Sequence, residues 1–150
     1  MNNSEVIEKL SSLMKIDMDA IRTYEKVIEK IPDNDIKDHL VKFKNDHFKH
    51  VNALESVIKD LGGTPPKRDI DLKGLFLTGG VMLEQLFNAE NALRVLKSGE
   101  EVINKAYDQS VTKEFPVEIR SLLDIHNRDE LEHLRYISYA IDVRVWEKAA

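Results

Sequence analysis

The chain has 150 residues, 22 of them Lys or Arg and 27 Asp or Glu, so its formal charge is 22 − 27 = −5. That length suits one domain with a sizeable core, and basic residues scattered along the chain rather than gathered into a patch argue against nucleic acid as a partner. With no cysteine, disulfides, thiolate metal sites and thiol catalysis are excluded.

The opening MNNSEVIEKL has no basic stretch followed by an apolar run, and no later segment approaches the ~18 apolar residues of a membrane span. A cytoplasmic location without membrane contact is the expectation. Apolar residues then fall at Val6, Leu10, Leu13, Ala20, Tyr24, Ile28 and Ile31, a spacing of three and four that predicts one long amphipathic helix, interrupted only at Asp17. Pro32 and Asp33-Asn34-Asp35 supply a stop and new capping groups. The seam resumes at Ile36, Leu40, Phe43, Leu54, Val57 and Leu61, and so short a connection makes an antiparallel hairpin, about 4–62. Gly62-Gly63 before Thr64-Pro65-Pro66 ends it with a left-handed cap and residues that cannot continue a helix. Residues 64 to about 87 are a long connection, apolar in places and broken by Gly74, Gly79 and Gly80, in which short helical pieces crossing the bundle are expected. A third helix, about Ala89 to Val111, carries Leu93, Leu96, Ile103 and Tyr107 on its seam. The fourth begins after Glu114-Phe115-Pro116 and runs to about Val145, closing a second hairpin over about 88–146. Trp146 reads as a packing or partner contact. The expected fold is all-α: residues 1–150 form a single domain, a four-helix bundle of two antiparallel hairpins joined by a long crossover.

Each seam is broken by polar residues at one place: Asp17 in the first helix, His47 and His50 in the second, Glu100 in the third, Glu130 and His133 in the fourth. The breaks repeat at a constant offset, since 100 − 17, 130 − 47 and 133 − 50 all equal 83. Tyr24 and Tyr107 obey it, as do Asp46 and Asp129, so the two hairpins are an internal repeat. Asp17 lies as far before the first turn as His47 and His50 lie after it, and the second hairpin repeats those counts. Equal rise per residue therefore places all six side chains in one layer. Three buried carboxylates need neutralising, because each ion removed from water costs several kcal/mol even after relaxation. A divalent transition metal does so directly, and oxygen and imidazole donors suit iron, manganese or zinc. Alternatively, three protonated histidines balance the acids in a network without metal. Tyr24 and Tyr107 are expected to hydrogen-bond the ligands, His126 to be a core or supporting residue, and His39 to lie at the surface. Asp46 and Asp129, about 100° from the neighbouring seam residues, read as capping or solvent-facing, though either could reach in as a ligand.

These residues resemble the ferritin-like superfamily, in particular small single-domain bacterial ferritin-like families and the rubrerythrin-type diiron bundle. In those proteins helices one and three each give a glutamate followed seven residues later by a tyrosine, and helices two and four each give Glu-x-x-His. Glu100 with Tyr107 and Glu130 with His133 match; Asp17 and His47 stand where glutamates are usual. The resemblance, over residues 4–145, implies a non-haem iron site oxidising Fe(II) with oxygen or peroxide. Three carboxylates with three neutral imidazoles leave two divalent ions at 4 − 3 = +1, which disfavours the diferric state. A single ion at Glu100, Glu130 and His133, a weak binuclear site and a low-activity ferroxidase therefore all stand open. The reading from a different class is a metal-free structural or protein-interaction bundle, forming a homodimer through the crossover or the Trp146 end.

Overall fold

The computed structural model describes residues 1–69, 75–76, 88–111 and 114–147. Four helices carry the chain: α1 (Asn3–Ile28), α2 (Asn34–Asp60), α3 (Ala89–Val111) and α4 (Val117–Asp142). Their ends follow from local chemistry. Asn2 opens α1 with a reciprocal cap, its side chain accepting from the Glu5 amide while Glu5 accepts from the Asn2 amide, both at 2.9 Å. Asp33 opens α2 by accepting from the Ile36 amide at 3.0 Å. Gly62, at φ +84°, closes α2 in the left-handed conformation that costs glycine nothing, and lets the Gly63 amide reach the Ile58 carbonyl at 2.9 Å. The fourth helix ends three residues before the expected Val145, because Arg144 takes a positive φ of 52°. A 3-10 turn, Val145–Glu147, follows, with the Arg144 guanidinium 5.3 Å from the centre of the Trp146 ring and Trp146 packed against the core. The short helical pieces expected between 64 and 87 fall mostly outside the described residues.

The helices pair as α1 with α2 and α3 with α4, with α1 against α3 and α2 against α4 closing the bundle. Partner order gives direction across the second set of contacts. His39 stacks on Tyr136, Phe43 on His133 and His50 on His126, so α2 and α4 are antiparallel. Asp17 meets Tyr107 while Tyr24 meets Glu100, so α1 and α3 are antiparallel as well. The α1–α2 and α3–α4 turns therefore sit at opposite ends, and Leu61 and Asn88, at the end of α2 and the start of α3, are separated by the length of the bundle, roughly 40 Å for helices of this size.

The core repeats with the sequence. Leu10 and Leu93, Leu13 and Leu96, Ile36 and Ile119, Leu40 and Leu123, Leu54 and Ile137, and Ile58 and Ile141 are related by the 83-residue offset and all are buried. Apolar slabs fill both ends, and between them, near the midpoint of every helix, lies one polar layer. Where the seam reading slips, it slips by one position: Val27 and Ile58 are buried, whereas the expected Ile28 and Val57 only pack at its edge. A helix face about 100° wide accepts either neighbour.

Replacing Asp33 by Ala removes the cap of α2 and should lower unfolding free energy by about 1 kcal/mol. The urea midpoint should fall while the slope of the transition stays unchanged.

Candidate metal centre

All six interrupting residues meet in the mid-height layer, and all are buried: Asp17 from α1, His47 and His50 from α2, Glu100 from α3, Glu130 and His133 from α4. Their donor atoms form two overlapping groups able to hold a metal ion, Asp17, His47, His50 and Glu130 in one, His47, Glu100, Glu130 and His133 in the other. Within each group the atoms lie within 4.8 Å of one another. In the first, Asp17 Oδ1 is 2.7 Å from His47 Nδ1 and 3.3 Å from His50 Nδ1, and Glu130 Oε1 is 3.0 Å from His50 Nδ1. In the second, Glu100 Oε1 is 3.2 Å from His47 Nε2 and 3.4 Å from His133 Nδ1, and Glu130 Oε2 is 3.2 Å from His133 Nδ1. Donors bound at ~2.0–2.1 Å to one ion stand roughly 2.9–3.4 Å apart, depending on whether the geometry is octahedral or tetrahedral. Most of these separations fall in that range.

Around the six lies a second ring of contacts that the 83-residue offset also relates. Tyr24 donates its hydroxyl to Glu100, and Tyr107 donates to Asp17. His50 donates from Nε2 to Asp129 Oδ2 at 2.9 Å, and His133 from Nε2 to Asp46 Oδ2 at 2.8 Å. Asp46 and Asp129, expected from their offset to cap helices or face solvent, reach these histidines instead of capping, with the Asp129 side chain still 37% exposed and that of Asp46 14%. The angle that takes them off the seam aims them at the neighbouring helix, α2 to α4 and back. Each fixes its histidine so that Nδ1 points into the layer, the arrangement by which a carboxylate orients a metal-binding imidazole. Phe43 packs on His133 with ring centres 4.3 Å apart, and in the other half His126 stacks on His50 at 4.0 Å. His126 is a buried supporting residue, and His39 lies at the surface against Tyr136.

Two contributors escape the motif reading. Asn104, one turn after Glu100, donates to the carbonyls of Glu100 at 2.7 Å and Glu130 at 3.1 Å, tying α3 to α4 inside the layer. A polar residue four positions from Glu100 was the available signal. Phe76 comes from the crossover, held by its amide donating to Asp19 Oδ2 at 2.8 Å. Its ring covers Tyr24 and His47 at 6.2 Å from each and lies where a side chain at Gly99 would stand; a Cβ there would be 2.2 Å from the ring. Nothing in the local pattern around Phe76 marks that long-range contact.

Charge in the layer is strongly coupled. Burial favours neutral His47, but Glu130 and the hydrogen bonds to Asp17 and Glu100 overcome it and lift its pKa to about 9. His50, despite burial, is lifted to about 12 by Asp17 and Asp129. His133 is raised well above the usual value by Glu100 and Asp46 against the same penalty. Asp17 and Glu100 are held below the usual carboxylate range: burial would raise them, and the facing imidazoles outweigh it. Glu130 differs, pushed up by burial, with the neighbouring Glu100 adding to the rise against the pull of His47. Burial and the charge of His50 lower His126 to about 4, so it is neutral. Tyr24 and Tyr107 stay protonated, raised by burial and by Glu100 and Asp17 respectively.

A protein-family model matches residues 5–113. The chain belongs to the DUF2383 family, described as a domain of unknown function. The DUF2383 match takes in Asp17, His47, His50 and Glu100 and stops ahead of α4. No curated protein matches the chain. Among the described residues no helix is long and apolar enough to cross a membrane.

Two predictions follow from this geometry. In metal-free protein, the imidazolium charge of His47 stabilises the fold because its pKa is raised from 6.5 to about 9. That contribution is complete below pH 6.5 and lost as pH rises through 9, so the melting temperature should fall steadily over this window. A flat profile would show that the buried imidazole is neutral. Replacing Gly99 by Ala should displace the Phe76 ring and destabilise the protein by roughly 1–3 kcal/mol, the usual range for overpacking, seen as a lower denaturant midpoint.

Proposed function

We propose that this is a ferritin-like bundle, one domain over residues 1–150, that binds divalent transition metal through Asp17, His47, His50, Glu100, Glu130 and His133. One observation carries the reading. Glu100 Oε2, both oxygens of Glu130 and His133 Nδ1 are buried without a hydrogen-bond partner, although imidazole nitrogens stand within 3.3 Å of each Glu130 oxygen. None of these atoms meets a well-aligned donor, and the residues that carry them all belong to the two donor groups. An ionised carboxylate buried without hydrogen bonds is too costly for a domain-sized protein to keep, and a cation held by those groups removes the cost. The donor set, oxygen and imidazole without sulfur, suits iron, manganese or zinc.

In this arrangement Asp17, Glu100 and Glu130 supply the negative charge, and the imidazoles supply neutral donors. Asp46 and Asp129 hold His133 and His50 in the binding tautomer. Tyr24 and Tyr107 fix Glu100 and Asp17 by donating to them, and Phe76 keeps water from the His47 side. When bound, iron would supply the chemistry the ferritin-like resemblance implies, oxidation of Fe(II) by oxygen or peroxide. The low carboxylate count favours the ferrous state and makes this a weak ferroxidase at most.

The metal-free network is the second reading, favoured by His47, which bonds Asp17 and Glu100 through its two nitrogens, and by the raised histidine pKa values. In that reading the bundle acts as a structural or protein-interaction module.

Elemental analysis after anaerobic loading with Fe(II), Mn(II) or Zn(II) separates the two. Wild type should retain metal through desalting, and the Glu130→Ala, His133→Ala double variant should not. Asp129→Asn, which leaves the six donors in place, should weaken binding by ~10–100-fold in a competition titration with a chelator. Absence of retained metal in folded wild-type protein overturns the metal reading in favour of the network.

A further inference from the structure

His47 differs from the other two histidines of the layer. His50 and His133 each spend Nε2 on an outer aspartate, so each has one nitrogen facing inward. His47 has no outer partner: its Nδ1 faces Asp17 at 2.7 Å and Glu130 Oε1 at 3.3 Å, and its Nε2 faces Glu100 at 3.2 Å. The ring thus stands between the two donor groups with one nitrogen turned to each. Glu130 divides in the same way, Oε1 toward His50 and Oε2 toward His133. These are the two residues that both groups share.

We propose that His47 bridges two divalent ions through Nδ1 and Nε2, one ion in the group with Asp17 and His50, the other in the group with Glu100 and His133. This rests on the metal-binding reading and goes beyond it, because it fixes the number of ions, their bridge and their separation. A bridging imidazole uses both ring lone pairs. The ring, an imidazolium in the metal-free protein, loses one N–H proton to solvent as the first ion binds and the other as the second binds, a metal–nitrogen bond taking the place of each, with no change of oxidation state. The charge then closes: Asp17, Glu100, Glu130 and the imidazolate carry −4 against +4 for two divalent ions. With nitrogens ~2.0–2.1 Å from each ion, the ions stand roughly 6 Å apart across the ring. That is longer than the ~3.5–4 Å typical of two-metal sites, so the spacing suits a pair that stays divalent rather than one that closes on a shared oxygen atom.

The test is a titration of metal-free protein with Cu(II), followed by elemental analysis and electron paramagnetic resonance. Copper(II) ions joined by an imidazolate couple antiferromagnetically. The signal should therefore grow with the first equivalent per chain and collapse at low temperature as the second fills. In His47→Gln, whose fold is checked by circular dichroism, the collapse should disappear. In Glu130→Gln it should persist wherever two ions still bind. Two bound ions with additive signals in wild type overturn the bridge but leave the metal reading intact. Coupling that survives in His47→Gln assigns the bridge to Glu130 and overturns the proposal. No bound copper overturns both readings.

Discussion

Six ionisable side chains at the midpoint of a four-helix bundle impose a constraint that every other part of the structure must meet: their charges have to be matched before the helices can close over them. Hydrophobic burial rewards closing the bundle in any register, since the seams of all four helices are apolar for most of their length. The layer does not tolerate that freedom. Sliding one helix by a turn would drive Asp17 or Glu130 into the slab formed by residues such as Leu10, Leu54, Leu93 and Ile137, where an uncompensated carboxylate is far more expensive than a lost methyl contact. The polar layer thus acts as a register key, as buried polar residues do in coiled coils. The offset that relates Asp17 to Glu100 and His47 to Glu130 is what lets four separate keys fit together.

The same constraint explains the dense outer contacts. An imidazole that has to hold a fixed orientation needs its second nitrogen occupied, and Asp46 and Asp129 do this from the neighbouring helix. A carboxylate presented to a shared space needs its spare lone pairs held, and the two tyrosines do this for Asp17 and Glu100. Glu130 receives no such partner and is the one acid of the layer whose pKa is raised. It stands, with His47, in both donor groups.

Much of this was legible in the sequence, for a physical reason. A helix converts residue number into height and angle with little error, so seam residues, polar breaks and their common layer follow from counting. The Gly62 cap and the Asp33 start are equally local. Legibility failed where angle alone could not say what occupied the facing direction. Asp46 and Asp129 leave the seam toward another helix, and a one-helix view assigns that direction to water. Asn104 and Phe76 act through contacts across the bundle that no spacing rule encodes, and Arg144 ends α4 early through a backbone conformation its side chain does not announce. In the crossover, glycine breaks and apolar residues alternate without a period, so counting has nothing to convert.

Each of the paired contacts joins one hairpin to the other: Tyr24 to Glu100, Tyr107 to Asp17, Asp46 to His133, and Asp129 to His50. No hairpin completes its own set. A lone hairpin of this design would expose half a charged layer and half an apolar face, and would have every reason to pair with an identical copy. Two such copies around a twofold axis would reproduce each cross-contact by symmetry, as an isologous dimer does. A single chain that carries both hairpins has no such symmetry requirement. It can therefore hold different residues at equivalent places, as it does at Phe43 and His126 and at His47 and Glu130.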